Sequence, residues 1–228
     1  MEILLDSANL KSIKRFGETL PLAGVTTNPS IIKKEGKIDF FAHLRKIRTI
    51  IGPQRSLHVQ VVAADVEGIL KDAEAIFAEV GEETYVKVPV TEEGLKAIKA
   101  LKDQRRNVTA TAIYTIFQAD LAIVAGADYI APYFNRMENL NIDAEQAVRE
   151  MAGETKRSGA QTKILAASFK NIGQVTAALR SGAQAVTASP DVIAQGFAMP
   201  SIAQAVADFT HDWENIFGEG QTITSLRK

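Results

Sequence analysis

Apolar residues along this chain follow two alternating rhythms. Short runs rich in β-branched residues recur at Ile3–Asp6, Leu22–Thr26, Leu57–Val62, Tyr85–Val90, Val108–Ile113, Tyr129–Tyr133, Lys163–Ser168 and Ala185–Ala188, and such runs predict strands. Between them lie patterns of helical period: Leu10-Ile13-Lys14-Phe16, the segment Val66–Val80, Leu95-Ile98-Leu101, and Ile172–Leu179. Strands that alternate with helices imply right-handed crossovers and a parallel sheet. About eight such units, in a chain near the ~250 residues usual for the architecture, predict an α/β fold of the closed (β/α)₈ barrel type. The competing open, doubly wound sheet calls for a glycine-rich turn after the first strand, but that turn reads Asp6-Ser7-Ala8-Asn9. No linker-like stretch divides the chain, so residues 1–228 are read as one domain.

One segment exceeds what a barrel needs. Pro200–Phe217 has proline in its first turn and apolar residues at Ile202, Val206, Phe209, Trp213 and Ile216, which predicts an extra C-terminal amphipathic helix. Its stripe suits either a cap on the barrel or a docking face for a neighbouring subunit, and the second reading takes precedence. The polar stretch 219–228 is expected to be a loose tail.

The fourth strand, Tyr85-Val86-Lys87-Val88-Pro89-Val90, carries a lysine in its middle. An isolated lysine in a strand usually marks an edge position that reaches into water. The alternative is an amine held in a low-dielectric site and kept neutral enough to attack a carbonyl. Side chains alternate between the two faces of a strand. Assigning the apolar parity to the surrounding helices leaves Gly24, Thr26 and Asn28 inward on the second strand and His58 and Gln60 on the third. The same rule leaves Thr109 and Thr111 inward on the fifth strand, and Tyr129, Ala131 and Tyr133 on the sixth. On the seventh, Leu165 and Ala167 are taken as outward and Ser168 as inward. Asp6 closes the first strand opposite Ile3 and Leu5.

The inward parity thus delivers Asp6, Thr26, Asn28, Gln60, Lys87, Thr111, Tyr133 and Ser168 to the C-terminal mouth, where barrels of this kind keep their active sites. Each has an ordinary explanation alone: Asp6 and Asn28 suit helix caps, the threonines suit strands, Tyr133 suits a core, and Ser168 suits a helix start. Their convergence does not, because burying so many polar groups costs several kcal/mol unless they bond one another or a ligand.

Composition narrows the chemistry. The 228 residues are 46% hydrophobic and 23% charged, with 26 basic against 27 acidic residues and a net charge of −1, so no nucleic-acid surface is indicated. There is no cysteine, and His43, His58 and His211 lack metal-ligand spacing, which argues against a metal site; no cofactor is implied. No apolar run reaches the roughly 20 residues that span a bilayer, and a soluble, cytoplasmic protein is expected.

The stretch Ala23-Gly24-Val25-Thr26-Thr27-Asn28-Pro29-Ser30-Ile31, the strand Val86-Lys87-Val88-Pro89, and Ala166-Ala167-Ser168-Phe169-Lys170 resemble the small transaldolase-like family, in the family's order and over nearly the whole chain. The resemblance implies a class I aldolase barrel with Lys87 as its Schiff-base lysine. It places Asp6, Thr26 and Asn28 around a dihydroxyacetone unit and Arg136 with Ser168 at a substrate phosphate, and Ala131 joins this substrate-binding set. It gives Gln60, Thr111 and Tyr133 the catalytic water. True transaldolases of the family have glutamate and phenylalanine where this chain has Gln60 and Tyr133, so the resemblance is to the aldolase branch, which cleaves and forms fructose 6-phosphate as an aldehyde-lyase of carbohydrate metabolism. Transfer of a dihydroxyacetone unit between sugar phosphates is the rival activity, and a silent sugar-phosphate binder is the rival class. Thr109 departs from the leucine of the aldolase branch and puts substrate range in question. The family's habit of forming pentamers and decamers through the last helix agrees with the apolar stripe of Pro200–Phe217.

Overall fold

A computed structural model describes residues 1–227, so Lys228, the end of the predicted tail, lies outside the described residues. In chain order the elements are β1 (Glu2–Asp6), α1 (Leu10–Thr19), β2 (Gly24–Thr26), α2 (Pro29–Lys34), α3 (Phe40–Ile51), β3 (Ser56–Gln60), α4 (Val66–Val80), β4 (Tyr85–Pro89), α5 (Glu92–Asp103), β5 (Val108–Ile113), α6 (Ile116–Val124), β6 (Tyr129–Pro132), α7 (Phe134–Asn139), α8 (Ala144–Ser158), β7 (Lys163–Ala166), α9 (Ile172–Arg180), β8 (Ala185–Ala188), α10 (Pro190–Gln195) and α11 (Pro200–Phe217). The strands pair in parallel in the order β1 to β8 and close into a barrel, the expected (β/α)₈ architecture.

Contacts divide the chain into two units, Met1–Val192 and the segment that begins at Ile193. The first contains the whole barrel. In the second, α11 has the predicted bounds and buries none of its residues. Trp213 stacks on Phe217 with ring centroids 4.4 Å apart, and its indole N–H donates to the Gln221 carbonyl at 3.0 Å.

Local chemistry explains where helices begin. Asp65, Thr91 and Asp143 sit in extended backbone and accept from the third amide of α4, α5 and α8 respectively, removing donors that the first turn cannot satisfy. Two of the helices that sequence periodicity leaves unmarked, α8 and α6, bury faces rich in small residues. In α8 the buried stripe is Ala144, Ala147, Val148, Met151 and Thr155, and in α6 it is Ala119, Ala122 and Ile123. Alanines make close helix-to-sheet packing possible but give little contrast with polar neighbours.

Close approach of the strands fixes one glycine. A Cβ on Gly24 would lie 2.1 Å from the Ser56 hydroxyl oxygen and 2.4 Å from the Ser56 carbonyl oxygen, so any larger residue would push β2 and β3 apart.

Register carries the alternation around the barrel. Asp6 pairs with Thr26, Thr26 with His58, Gln60 with Lys87, and Lys87 with Thr109, and paired residues in a parallel sheet share a face. The inward parity of β1 to β4 is therefore as the sequence predicts. Two strands depart from it. On β7, Leu165 faces inward: it packs in the barrel's interior with Leu4, Tyr129 and Ala185, so the parity assigned to Leu165 and Ala167 was inverted. Alternation alone would then send Ser168 outward, but Ser168 has φ +64° and turns the chain back toward the mouth. On β5, Ala112 was assigned to the helix side, yet a register shift lies between Ala110 and Ile113 and Ala112 has φ +58°. Such a bulge breaks strict alternation and re-aims the residues after it.

Candidate active site

The mouth of the barrel holds a cavity of about 510 Å³ lined by Asp6, Asn28, Gln60, Lys87, Tyr133, Arg136 and Ser168, together with Ser30, Ile31, Lys34, Ala112, Ala167, Lys170 and Ser189. Seven of the ten predicted site residues thus share one wall. Thr26, Thr111 and Ala131 are buried and lie behind it.

Lys87 is central to this wall. It is 3% exposed, flanked by the fully buried Val86 and Val88, and its Nζ donates to the Thr27 carbonyl at 3.0 Å. Burial lowers the amine's pKa from its ordinary value, opposed by the nearby Asp6 carboxylate. Losing hydration costs a charged ammonium far more than a neutral amine, so burial shifts Lys87 toward its nucleophilic form.

Asp6 closes β1 beside it. Its carboxylate accepts from the Thr26 hydroxyl at 2.6 Å. The single Thr26 proton is committed there, so the 2.7 Å contact between Thr26 and Thr187 is a bond donated by Thr187. Burial raises the Asp6 pKa, opposed by Lys87, the Thr26 hydroxyl and Lys34. A carboxylate moved toward neutrality is a better proton acceptor than an exposed one. Asp6 caps no helix, since Asn9 caps α1. Asn28 does both jobs: its side-chain oxygen accepts from the Ile31 amide at 3.0 Å to cap α2, while the residue lines the cavity.

Across the mouth, Tyr133 follows β6. Its phenol lies 3.1 Å from the Thr111 hydroxyl. Burial raises the phenol's pKa, against the lowering effect of Thr111 and Arg136, so it stays protonated at neutral pH and can donate. Gln60 pairs in register with Lys87, and its amide oxygen is buried without a hydrogen-bond partner among the described residues. Thr26 and Thr111 thus act on the wall through Asp6 and Tyr133.

Arg136, on α7, makes no ion pair among the described residues. Its guanidinium donates to the Tyr114 hydroxyl at 2.9 Å and lies 4.9 Å from the Tyr133 ring centroid. Ser168 does not start a helix, because Asn171 caps α9 and that helix begins at Ile172.

Thr109 does not reach the cavity wall. It is fully buried, with its hydroxyl 2.8 Å from Nδ1 of His58, whose Nε2 is 3.0 Å from the Ser56 hydroxyl. Burial, Lys87 and Arg48 hold His58 well below its ordinary pKa, and the neutral ring stacks on Tyr85 at 4.6 Å. The Thr109 hydroxyl thus satisfies a histidine beneath the site.

Sequence reasoning missed Lys34, Ser30, Lys170, Ala112 and Ser189 on the wall. Ser30 and Lys34 had a signal, being one helical turn apart after the capping Asn28. Ala112 had none, because its place depends on the bulge. Among the described residues no group of three or more His, Cys, Asp or Glu could hold a metal ion, and no helix is long and apolar enough to cross a membrane.

Comparison with known proteins adds two findings. The family model described as Transaldolase/Fructose-6-phosphate aldolase matches residues 3–224. A protein of Streptococcus pneumoniae (strain ATCC 700669 / Spain 23F-1) described as "Probable fructose-6-phosphate aldolase" is 56% identical over 213 residues, covering 93% of this chain and 96% of that protein.

Proposed function

The chain belongs to the transaldolase/fructose-6-phosphate aldolase family, and from that premise we propose that it is a class I aldolase that cleaves and forms fructose 6-phosphate through a Schiff base on Lys87. The observation that carries this reading is the buried Lys87 amine on the cavity wall, with Asp6 as its neighbouring carboxylate.

The geometry supports the following course of reaction. Neutral Lys87 attacks the C2 ketone, and loss of water from the adduct leaves an iminium ion. Asp6 takes the proton of the C4 hydroxyl as the C3–C4 bond breaks. The bonding electrons pass to the iminium nitrogen, giving an enamine and releasing glyceraldehyde 3-phosphate. The enamine is protonated at C3, and a water molecule then hydrolyses the iminium to free Lys87 and dihydroxyacetone. Gln60, Thr111 and Tyr133 hold that water. An amide has no acidic proton, so the Tyr133 phenol supplies it. Asn28 and Thr26 serve the dihydroxyacetone end, the second through Asp6. Arg136 and Ser168 take the phosphate at the rim. No step calls for a metal or an organic cofactor.

Incubation with fructose 6-phosphate and no acceptor separates this activity from transfer alone. Glyceraldehyde 3-phosphate should accumulate with each turnover; its absence would sink the aldolase assignment. If it appears only when an acceptor aldehyde is added, the protein is a transaldolase.

The exposed apolar residues of α11, Ile202, Val206, Phe209 and Ile216, support docking of that helix on another copy of the chain. Light scattering should return five or ten times the 24.7 kDa chain mass, and a monomer mass would refute it. The substrates carry phosphate and do not cross a bilayer unaided, which suits a cytoplasmic enzyme.

A further inference from the structure

We propose that Tyr114 is the positioning residue that aims Arg136 at the substrate's phosphate; this rests on the phosphate end of the function proposed above. Tyr114 lies in the loop between β5 and α6 and does not line the cavity, so it would reach a substrate phosphate through Arg136. Its hydroxyl accepts from Nη1 of Arg136 at 2.9 Å. Its ring meets that of Tyr133 edge to face, with centroids 5.6 Å apart and planes at 67°. The guanidinium is therefore held on two sides, by a hydroxyl at one N–H and by the face of Tyr133 4.9 Å below.

What matters is that both partners are neutral. A carboxylate would orient the guanidinium equally well, but it would cancel the charge that draws a phosphate and occupy the fork that binds it. A phenol hydroxyl and a ring face restrict the side chain while leaving its charge and most of its N–H groups for the ligand. Tyr114 is itself fixed by local chemistry. Its amide donates to the Gln118 side-chain oxygen at 3.0 Å, and Gln118 forms a capping box with Thr115 at the start of α6. The support runs from a helix cap through a tyrosine to the arginine, and it is finished before any substrate arrives.

The test uses the full-length enzyme and Tyr114→Phe, which keeps the ring on Tyr133 and removes only the hydroxyl. KM for fructose 6-phosphate should rise about tenfold, the scale of one hydrogen bond to a charged group, with kcat within about twofold. Condensation of dihydroxyacetone with unphosphorylated glyceraldehyde should be unchanged. Glycerol 3-phosphate binding, followed by calorimetry independently of turnover, should weaken by the same factor. Arg136→Gln, measured alongside, separates the causes. If Arg136→Gln leaves glycerol 3-phosphate binding intact, the phosphate assignment fails and this proposal falls with it. If Arg136→Gln weakens binding and Tyr114→Phe does not, the proposal alone is overturned. Equal loss with phosphorylated and unphosphorylated substrates in Tyr114→Phe would mark a structural role and overturn it too.

Discussion

In Lys87→Met, borohydride treatment in the presence of dihydroxyacetone will leave no mass adduct on the protein, and fructose 6-phosphate cleavage will fall to background, a loss on the order of 10⁴-fold or more. Methionine has nearly the length of the lysine stem and suits a site buried to 3% exposure. A folded variant is therefore expected, and its thermal unfolding checks that. In the unsubstituted enzyme, trapping has a pH dependence whose sign is fixed by the environment of Lys87. Burial lowers its pKa from 10.5, so the amine is protonated and inert at low pH and becomes reactive as the pH rises through the lowered value. The trapping rate should climb with pH and then level off, with its midpoint below 10.5. A midpoint at or above 10.5 would refute the lowered-pKa amine, and an adduct that survives in Lys87→Met would place the Schiff base elsewhere.

Tyr133→Phe should change the outcome of the reaction more than its first half. Without the phenol, the proposed catalytic water loses its acid, and protonation of the enamine slows. Loss of a positioned proton donor typically costs about 10² to 10⁴ in rate, so release of dihydroxyacetone should drop by at least about 10²-fold. Formation of the borohydride-trappable adduct should persist, because Lys87 and Asp6 are untouched. With erythrose 4-phosphate present, the long-lived enamine meets an acceptor, and sedoheptulose 7-phosphate should form at a raised ratio to free dihydroxyacetone. The measurement is that product ratio from fructose 6-phosphate, and an unchanged ratio rules out Tyr133 as the donor. Phenylalanine retains the ring face beneath Arg136 and the edge contact with Tyr114, so phosphate binding should be little affected.

Much of the site is legible in the sequence because a strand repeats every two residues. Asp6, Thr26, Gln60 and Lys87 face the cavity or support it through plain alternation on β1 to β4, and each is fixed by the apolar residues beside it, such as Val86 and Val88 around Lys87. The barrel itself followed from the succession of runs, since short connections and a right-handed crossover leave few ways to arrange alternating strands and helices. Asn28 showed how one residue can satisfy both an ordinary and a functional reading, because its oxygen caps α2 while its position keeps it on the wall.

By itself, then, the sequence determined the barrel, the strand that bears the buried Lys87, and the polar groups that periodicity brings to its side. Those properties are encoded locally, in the spacing of apolar residues along each element. The tertiary structure alone decided what depends on departures from regularity and on neighbours distant in the chain. Ala112 reached the wall through a bulge, and Ser168 through a positive φ that reversed the direction its strand parity would have sent it. Thr109 was turned from a question about substrates into a partner for His58, 51 positions away in sequence. Tyr114 and Arg136, 22 positions apart, meet because β5 pairs in parallel with β6, which sets the loop after β5 beside the helix after β6. A period-two pattern specifies which face a residue occupies; which loops meet over that face is settled by the order in which the strands pair, and the contact between Tyr114 and Arg136 is built there.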